Sequence, residues 1–99
     1  MSNICSNTLY AYSEDSSNIN SINTWFNNNY EDFDTEVIDD NSVEYYFDSK
    51  WTFPLELMDE LYASISNKSD IYMRCLSVEY GCDYVAYHKC DENGWYPVV

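Results

Sequence analysis

The segment at residues 51–87, WTFPLELMDELYASISNKSDIYMRCLSVEYGCDYVAY, decides the fold, because only here does a helix signature run directly into two strand signatures. Pro54 suits a first helical turn, where its fixed φ fits and its missing N–H would have gone unpaired. The helix is therefore expected to begin near Phe53. Leu57, Met58, Leu61 and Ile65 recur at the spacing of one apolar stripe, while Glu56, Asp59 and Glu60 fall elsewhere. Glu56 also lies where the positive end of the helix favours a carboxylate. After the polar break NKSD at 67–70, residues 71–78 and 83–88 are rich in β-branched and aromatic types and read as an antiparallel hairpin. Gly81 is available for a positive-φ turn between them. Alternation with period two puts Ile71, Met73 and Cys75 toward the helix and Tyr72, Arg74 and Leu76 on the other face. A slip of one residue would invert that assignment.

Upstream, TLYAY at 8–12 reads as a short strand with Leu9 and Ala11 on one face and Tyr10 and Tyr12 on the other. Ser16 or Ser17 is the expected cap of a following helix, since a side-chain oxygen there accepts from an otherwise unpaired N–H. Ile19, Ile22 and Phe26 follow at helical spacing, with Trp25 beside them. The asparagines at 18, 20 and 23 are poor helix formers, so this helix must lean on tertiary packing. Residues 35–38 and 43–47 are strand-like around the turn signal Asp39, Asp40 and Asn41, giving a second hairpin. DENG at 91–94 marks a last turn, after which Trp95 and Tyr96 either pair once more or fold back on the sheet. The order β-α-β-β-α-β-β predicts an α+β sandwich, an antiparallel sheet with two helices on one face. A ferredoxin-like split βαβ is the natural solution, with residues 71–78 as the return strand. At 99 residues the chain is expected to form a single domain over 1–99.

Apolar residues make up 45% and aromatics 18%, enough to argue against disorder despite the charge. No run approaches the roughly 18 apolar residues of a membrane span, and MSNICSNTLYAYSEDSS lacks the basic start and apolar run of a signal peptide. A cytoplasmic setting is the expectation. Cysteines at 5, 75, 82 and 90 form no C-x-x-C pair, so no zinc ribbon or thioredoxin-type motif is indicated. Reduced, partly buried thiols are the simplest reading, with a Cys82–Cys90 or Cys75–Cys82 bridge as the alternative.

The formal charge is −14, from 18 acidic and 4 basic residues. Abundant Asn, Ile and Tyr suggest AT-rich coding, which should also enrich Lys, yet Lys occurs only at 50, 68 and 89. The acidity is thus more than a by-product of codon usage. It concentrates at residues 31–48, where Glu31, Asp32, Asp34, Glu36, Asp39, Asp40, Glu44 and Asp48 are interrupted by no Lys or Arg.

Two stretches carry a resemblance. Asn3, Ile4, Cys5, Ser6, Asn7, Thr8 and Leu9 resemble the Asn-Trp-Cys-x-Asn-x-Leu opening of the YubB-type ferredoxin-like domain family of plasmids and phages. Ile4 stands in place of the usual tryptophan, and Ser13 and Glu14 stand where a glycine often closes the first strand. Trp51, Thr52, Phe53 and Pro54 before a helix, then a strand carrying Glu79, Tyr80 and Gly81, are similar to the family's second half. The resemblance implies a fold and a mobile-element setting, and it carries over no catalytic residue.

Proteins that bind duplex DNA do so through Lys/Arg grooves, because the duplex carries about one negative charge per 1.7 Å of axis. A compact acidic protein can occupy such a groove by presenting carboxylates where phosphates would lie. The expected function is therefore a phage- or plasmid-type inhibitor, anti-CRISPR or anti-restriction, that blocks the basic nucleic-acid site of a host defence or DNA-processing protein by DNA mimicry. Its partner-binding residues are expected at Glu31, Asp32, Asp34, Glu36, Asp39, Asp40, Glu44, Asp48 and Tyr45, helped by Asp59, Glu60, Asp83, Asp91 and Glu92. The competing reading is a solvated acidic face that keeps a small protein soluble.

The alternative function is a non-catalytic interaction module that binds through an aromatic sheet face. Tyr45, Tyr46, Tyr72, Tyr80, Tyr84 and Tyr87 cannot all be buried, and Tyr is favoured at interface centres. Direct nucleic-acid binding is disfavoured by the lack of a basic patch. Asp32, Asp34 and Glu36 alternate as if to share a strand face, but no EF-hand register is present, so incidental cation contact is expected rather than a metal site. His88 and Cys90 at i, i+2 would share a strand face as a nucleophile pair requires. With no second histidine, oxyanion loop or phosphate-binding motif, no enzyme and no cofactor are expected. Monomer and homodimer are both open.

Overall fold

The computed structural model describes residues 4–98, Cys82 by its backbone alone. Asn3 of the opening motif and the bridges considered for Cys82 therefore lie outside the described residues. The elements run β1 (Ile4–Tyr12), α1 (Ser16–Asn29), β2 (Asp34–Asp39), β3 (Ser42–Lys50), α2 (Leu55–Ser64), β4 (Tyr72–Glu79), a single 3-10 turn (Tyr80–Cys82), β5 (Tyr84–Asp91) and β6 (Gly94–Pro97). The chain is α+β: one six-stranded sheet in the order β2-β3-β1-β4-β5-β6, every neighbouring pair antiparallel, with two helices. Trp95 and Tyr96 do pair, as part of β6 on β5.

β1 lies in the interior of the sheet, with β3 on one side and β4 on the other. Its alternation sorts the two faces. Leu9 and Ala11 are fully buried under the helices, and their register partners Tyr45, Val43, Cys75 and Met73 are buried with them. Ile22, Trp25 and Phe26 from α1 and Met58 and Leu61 from α2 complete this one core. At its centre Phe26 stacks on Tyr45 with ring centroids 4.4 Å apart and planes 7° from parallel, and the Tyr45 hydroxyl donates to the Asn23 side-chain carbonyl. Trp25, Tyr30, Phe33 and Phe47 surround the stack edge-on or tilted. β6 is held from the other end, where the Trp95 indole donates to the Met58 carbonyl at 2.8 Å and the Tyr62 hydroxyl to the Glu92 carbonyl at 2.6 Å.

Several local expectations change. The first strand is longer than 8–12 because β3 and β4 pair with it well before Thr8. Asp15, not Ser16 or Ser17, caps α1: its carboxylate accepts from the Ser17 N–H at 2.9 Å and the Ser17 hydroxyl at 2.6 Å. Hydrogen bonds from Ser17 and Asn67 hold the Asp15 carboxyl below the usual range. α2 starts at Leu55 with Pro54 at its cap, because Trp51 adopts a left-handed φ of 69° and turns the chain out of β3 first. Between β4 and β5 the left-handed residue is Asp83 (φ 52°), not Gly81; Glu79 accepts from the Gly81 N–H at 2.7 Å and closes the turn instead. Positive φ falls on glycine at Gly94 (φ 100°), in the β5–β6 turn that Asp91 closes by accepting from the Asn93 N–H.

The asparagine that should weaken α1 proves structural. Asn18 is fully buried, and its amide donates to the Asn67 carbonyl at 2.8 Å, the Asp70 carbonyl at 2.9 Å and Ser13 Oγ at 3.1 Å. Its side-chain oxygen accepts from the Asn67 N–H at 3.1 Å. Ser13 Oγ in turn donates to the Asp70 carbonyl at 2.6 Å. One buried amide thus satisfies half-buried backbone groups of the α2–β4 loop and ties that loop to the start of α1.

Leaving these groups unpaired costs about 1–3 kcal/mol each when no water replaces the amide. Asn18→Ala is expected to lower stability by about 3 kcal/mol, whereas Asn20→Ala, at an exposed position of the same helix, should be neutral or stabilising by a few tenths of a kcal/mol. Urea unfolding of the two variants measures both; equal midpoints would remove Asn18 from this role.

Candidate functional site: the acidic hairpin and the open sheet face

β2 and β3 bring the acidic residues together as one exposed hairpin. Asp34, Glu36 and Asp39 lie on β2, Glu44 and Asp48 on β3, and Asp40 in the two-residue turn. Glu31 and Asp32 precede β2 in the approach from α1. All are exposed except Glu44, which is half-buried. Asp39 also builds the turn, accepting from the Asn41 N–H at 2.8 Å, a bond that holds its carboxyl below the usual range. β2 is a sheet edge, and every one of its residues is exposed, Val37 by 74%. Carboxylates along such an edge also oppose strand addition by another chain.

Tyr45, expected among the partner-binding residues, is not on this surface. Its alternation places it inward, where it is fully buried against Phe26. The surface tyrosine is its neighbour Tyr46. Glu36 and Glu44 are directly opposite in the β2–β3 register, a like-charge arrangement that normally destabilises a sheet. Tyr46 mitigates it: its hydroxyl donates to Glu44 at 2.6 Å and reaches Glu36 at 3.4 Å. The bond to Glu44 is the main reason the Tyr46 phenol is pushed up to about 12. Asp34 and Glu36 share the outer face with Glu44, but Asp32 lies outside β2, and among the described residues no three acidic, His or Cys side chains form a metal-holding cluster.

The helices do not reach the inner face of β2. Between α1 and the hairpin this leaves a groove of about 530 Å³, floored by Ile19, Phe33, Val37 and Val43 and edged by Asp39 and Asp40. The periodicity of β2 gives no sign of it, since Thr35 and Val37 look like core positions.

Among the described residues no helix covers the opposite face of the sheet. Tyr10, Tyr12, Tyr46, Tyr72 and Tyr87 stand half-buried on it, with Leu76 45% and Val85 60% exposed. Arg74 lies over the Tyr10 ring, 4.2 Å from its centroid, and Tyr72 flanks the same guanidinium at 5.9 Å. Of the helper residues, Asp59, Glu60, Asp83 and Glu92 are exposed and Asp91 is half-buried, and none of them belongs to the β2–β3 hairpin.

His88 and Cys90 do share a face of β5, but it is the core face. Cys90 is fully buried, its thiol pushed up to about 12 by burial. The His88 ring stacks on Phe53 at 3.8 Å, and burial lowers its pKa. Neither group is presented to solvent as a nucleophile pair. Cys5 and Cys75 are likewise free, buried thiols, and the Cys75 thiol is raised to about 12 by burial. Comparison with known protein families, curated proteins and solved structures finds no match to this chain.

The native protein is expected to leave Cys5, Cys75 and Cys90 unreactive toward an aromatic disulfide reagent until denaturant is added. Folding favours the protonated form of Cys75 and Cys90, whose ordinary pKa is 9.0, so their contribution is intact below pH 9 and lost as pH rises toward 12. The urea midpoint should hold up to about pH 9 and fall above it; rapid labelling of Cys90 at pH 8 would contradict the burial argument.

Proposed function

We propose that this chain is a stoichiometric inhibitor that occupies the basic nucleic-acid site of a host defence or DNA-processing protein through its β2–β3 hairpin. The observation that carries the reading is the exposure of seven of the eight carboxylates of residues 31–48, a stretch without Lys or Arg, on a chain of charge −14. Alternate residues on a strand lie about 6.7 Å apart. Successive charges on one DNA strand rise by about 3.4 Å. Asp34, Glu36, Glu44 and Asp48 share the outer face of the two strands within the length of residues 44–48, about 13 Å, comparable with the number of phosphates one DNA strand carries over that rise. The site is the set Glu31, Asp32, Asp34, Glu36, Asp39, Asp40, Glu44 and Asp48, with Tyr46 as its tyrosine in place of the buried Tyr45. The work is binding rather than catalysis, in the cytoplasm of a host cell, with neither cofactor nor metal.

The fold reading is refined in the same spirit to a ferredoxin-like split βαβ. It is supported by the two β-α-β halves and by the order β2-β3-β1-β4 among the first four strands, to which β5 and β6 add. With it goes membership of the YubB-type family and a phage or plasmid origin, supported by the motif residues at 4–9, 51–54 and 79–81.

A second reading, an interaction module that uses the aromatic sheet face, is favoured by the half-buried tyrosines and exposed Leu76 and Val85 on a face without a covering layer.

Capture from bacterial lysate on the immobilised chain, at low and high salt, separates the two. Mimicry predicts a nucleic-acid-binding partner that elutes as ionic strength rises and is displaced by added duplex DNA. Reversal of Glu31, Asp32 and Asp40 to Lys, at positions whose side chains bond to no other group among the described residues, should weaken capture at least tenfold and shift stability by less than about 0.5 kcal/mol. A partner held in high salt and indifferent to the reversals would transfer the function to the sheet face.

A further inference from the structure

The strand registers line up six outer-face residues in one row across the sheet: Glu36, Glu44, Tyr10, Arg74, Lys89 and Tyr96. Counting outward from β1, Glu44 is one strand away on one side and Arg74 one strand away on the other. Glu36 and Lys89 are two strands away on the same two sides. Two of the four basic residues of the chain thus face two carboxylates across Tyr10, at matched offsets. They do not neutralise each other within the chain. Glu44 and Arg74 are two strand spacings apart, about 9.6 Å at the backbone. Arg74 instead sits over the Tyr10 ring with Tyr72 beside it, and Glu44 takes the Tyr46 hydroxyl. Among the described residues neither Arg74 nor Lys89 is held in an ion pair.

We propose that the open sheet face is a homodimer interface, in which two copies stack face to face about a two-fold axis parallel to β1. That axis carries a residue on one side of β1 onto the other side in the facing sheet. Glu44 then meets the partner's Arg74, Glu36 meets the partner's Lys89, and the two Tyr10 rings meet at the axis. An in-plane axis perpendicular to the strands would set carboxylate against carboxylate, so charge selects one geometry from the two that stack these faces with their strands aligned. The next row, Asp34, Tyr46, Thr8, Leu76 and Tyr87, obeys the same rule. It brings Asp34 to the partner's Tyr87 and Tyr46 to the partner's exposed Leu76. Strands about 4.8 Å apart and mostly 8 or 9 residues long make a flat face on the order of 600 Å². Its side-chain relief brings this near the about 800 Å² per partner of a standard interface. The stacking does not rest on the inhibitor reading: while two copies are paired it withdraws Asp34, Glu36 and Glu44 from a host protein and leaves Glu31, Asp32 and Asp40, outside these rows, to meet one.

Sedimentation equilibrium at physiological salt, where the long-range repulsion between two chains of charge −14 is screened, tests the geometry. The wild type is expected to pass from 11.7 kDa toward twice that mass as concentration rises through the micromolar range. Glu44→Arg and Arg74→Glu should each weaken self-association at least tenfold. Mixed in equal amounts, the two variants should regain it, because each supplies the charge that the other now needs. That recovery also shows that both variants fold. A wild type that stays at 11.7 kDa at the highest concentration overturns the proposal, as does a dimer that survives both single variants or a mixture that stays monomeric. Hairpin-end reversals at Glu31, Asp32 and Asp40 leave this row intact, so loss of capture by those variants with association retained separates the two readings.

Discussion

The hydrogen bonding of β1 along both edges is the constraint on which the rest depends. Nine residues from Ile4 to Tyr12 are held against β3, and seven of them also against β4. Because successive side chains point to opposite faces, this double pairing fixes which half of the sheet is core. Leu9 and Ala11 go under the helices and Tyr10 and Tyr12 go outside, and every strand paired in register inherits the choice. A shift of one residue against β3 would turn Glu44 and Asp48 inward and expose Tyr45, and a shift against β4 would turn Arg74 inward and expose Met73. Two helices cover one face of the sheet except at β2, and nothing in the described fold covers the other.

An acidic chain must place most of its charge without burying it, and Glu79, which closes the β4–β5 turn, is the buried carboxylate among the described residues. Here nearly all of the carboxylates of residues 31–48 sit on an edge strand, a turn and an outer face, where solvent reduces their mutual repulsion. The scarce cations are used sparingly. Lys68 donates to the Ala63 and Ile65 carbonyls at 3.4 and 2.7 Å, where the negative end of α2 favours a positive charge. Arg74 sits over an aromatic ring, and the Tyr46 hydroxyl hydrogen-bonds to Glu44 and reaches Glu36, the carboxylates that face each other across β2 and β3. A neutral tyrosine hydroxyl thus stabilises by hydrogen bonding a carboxylate that no cation among the described residues is bonded to, without cancelling its charge.

Element order, the apolar stripe of α2, the inward set Ile71, Met73 and Cys75, and the acidic hairpin are all legible in the sequence, because each is a pattern within one segment. So is the solvent exposure of Asp34, Glu36, Asp39 and Asp40. The place of Tyr45 is not: in VEYYF either tyrosine could face inward, and only pairing with β1 at Leu9 decides which. Asn18 misleads for a similar reason, since its propensity belongs to the helix and its bonding partners lie 49 and 52 residues away.

The sequence by itself determined the periodicities: where the chain is helical, where it alternates, where it turns, and that its charge gathers in one hairpin. These are properties of neighbours, set by backbone geometry and local side-chain sterics. The tertiary structure alone decided which residues stand beside each other across strands. The row from Glu36 to Tyr96 draws one residue from each of six strands. Its order exists only once β1 has chosen its register against β3 and β4, a choice made by burial of the whole face and not by any segment alone.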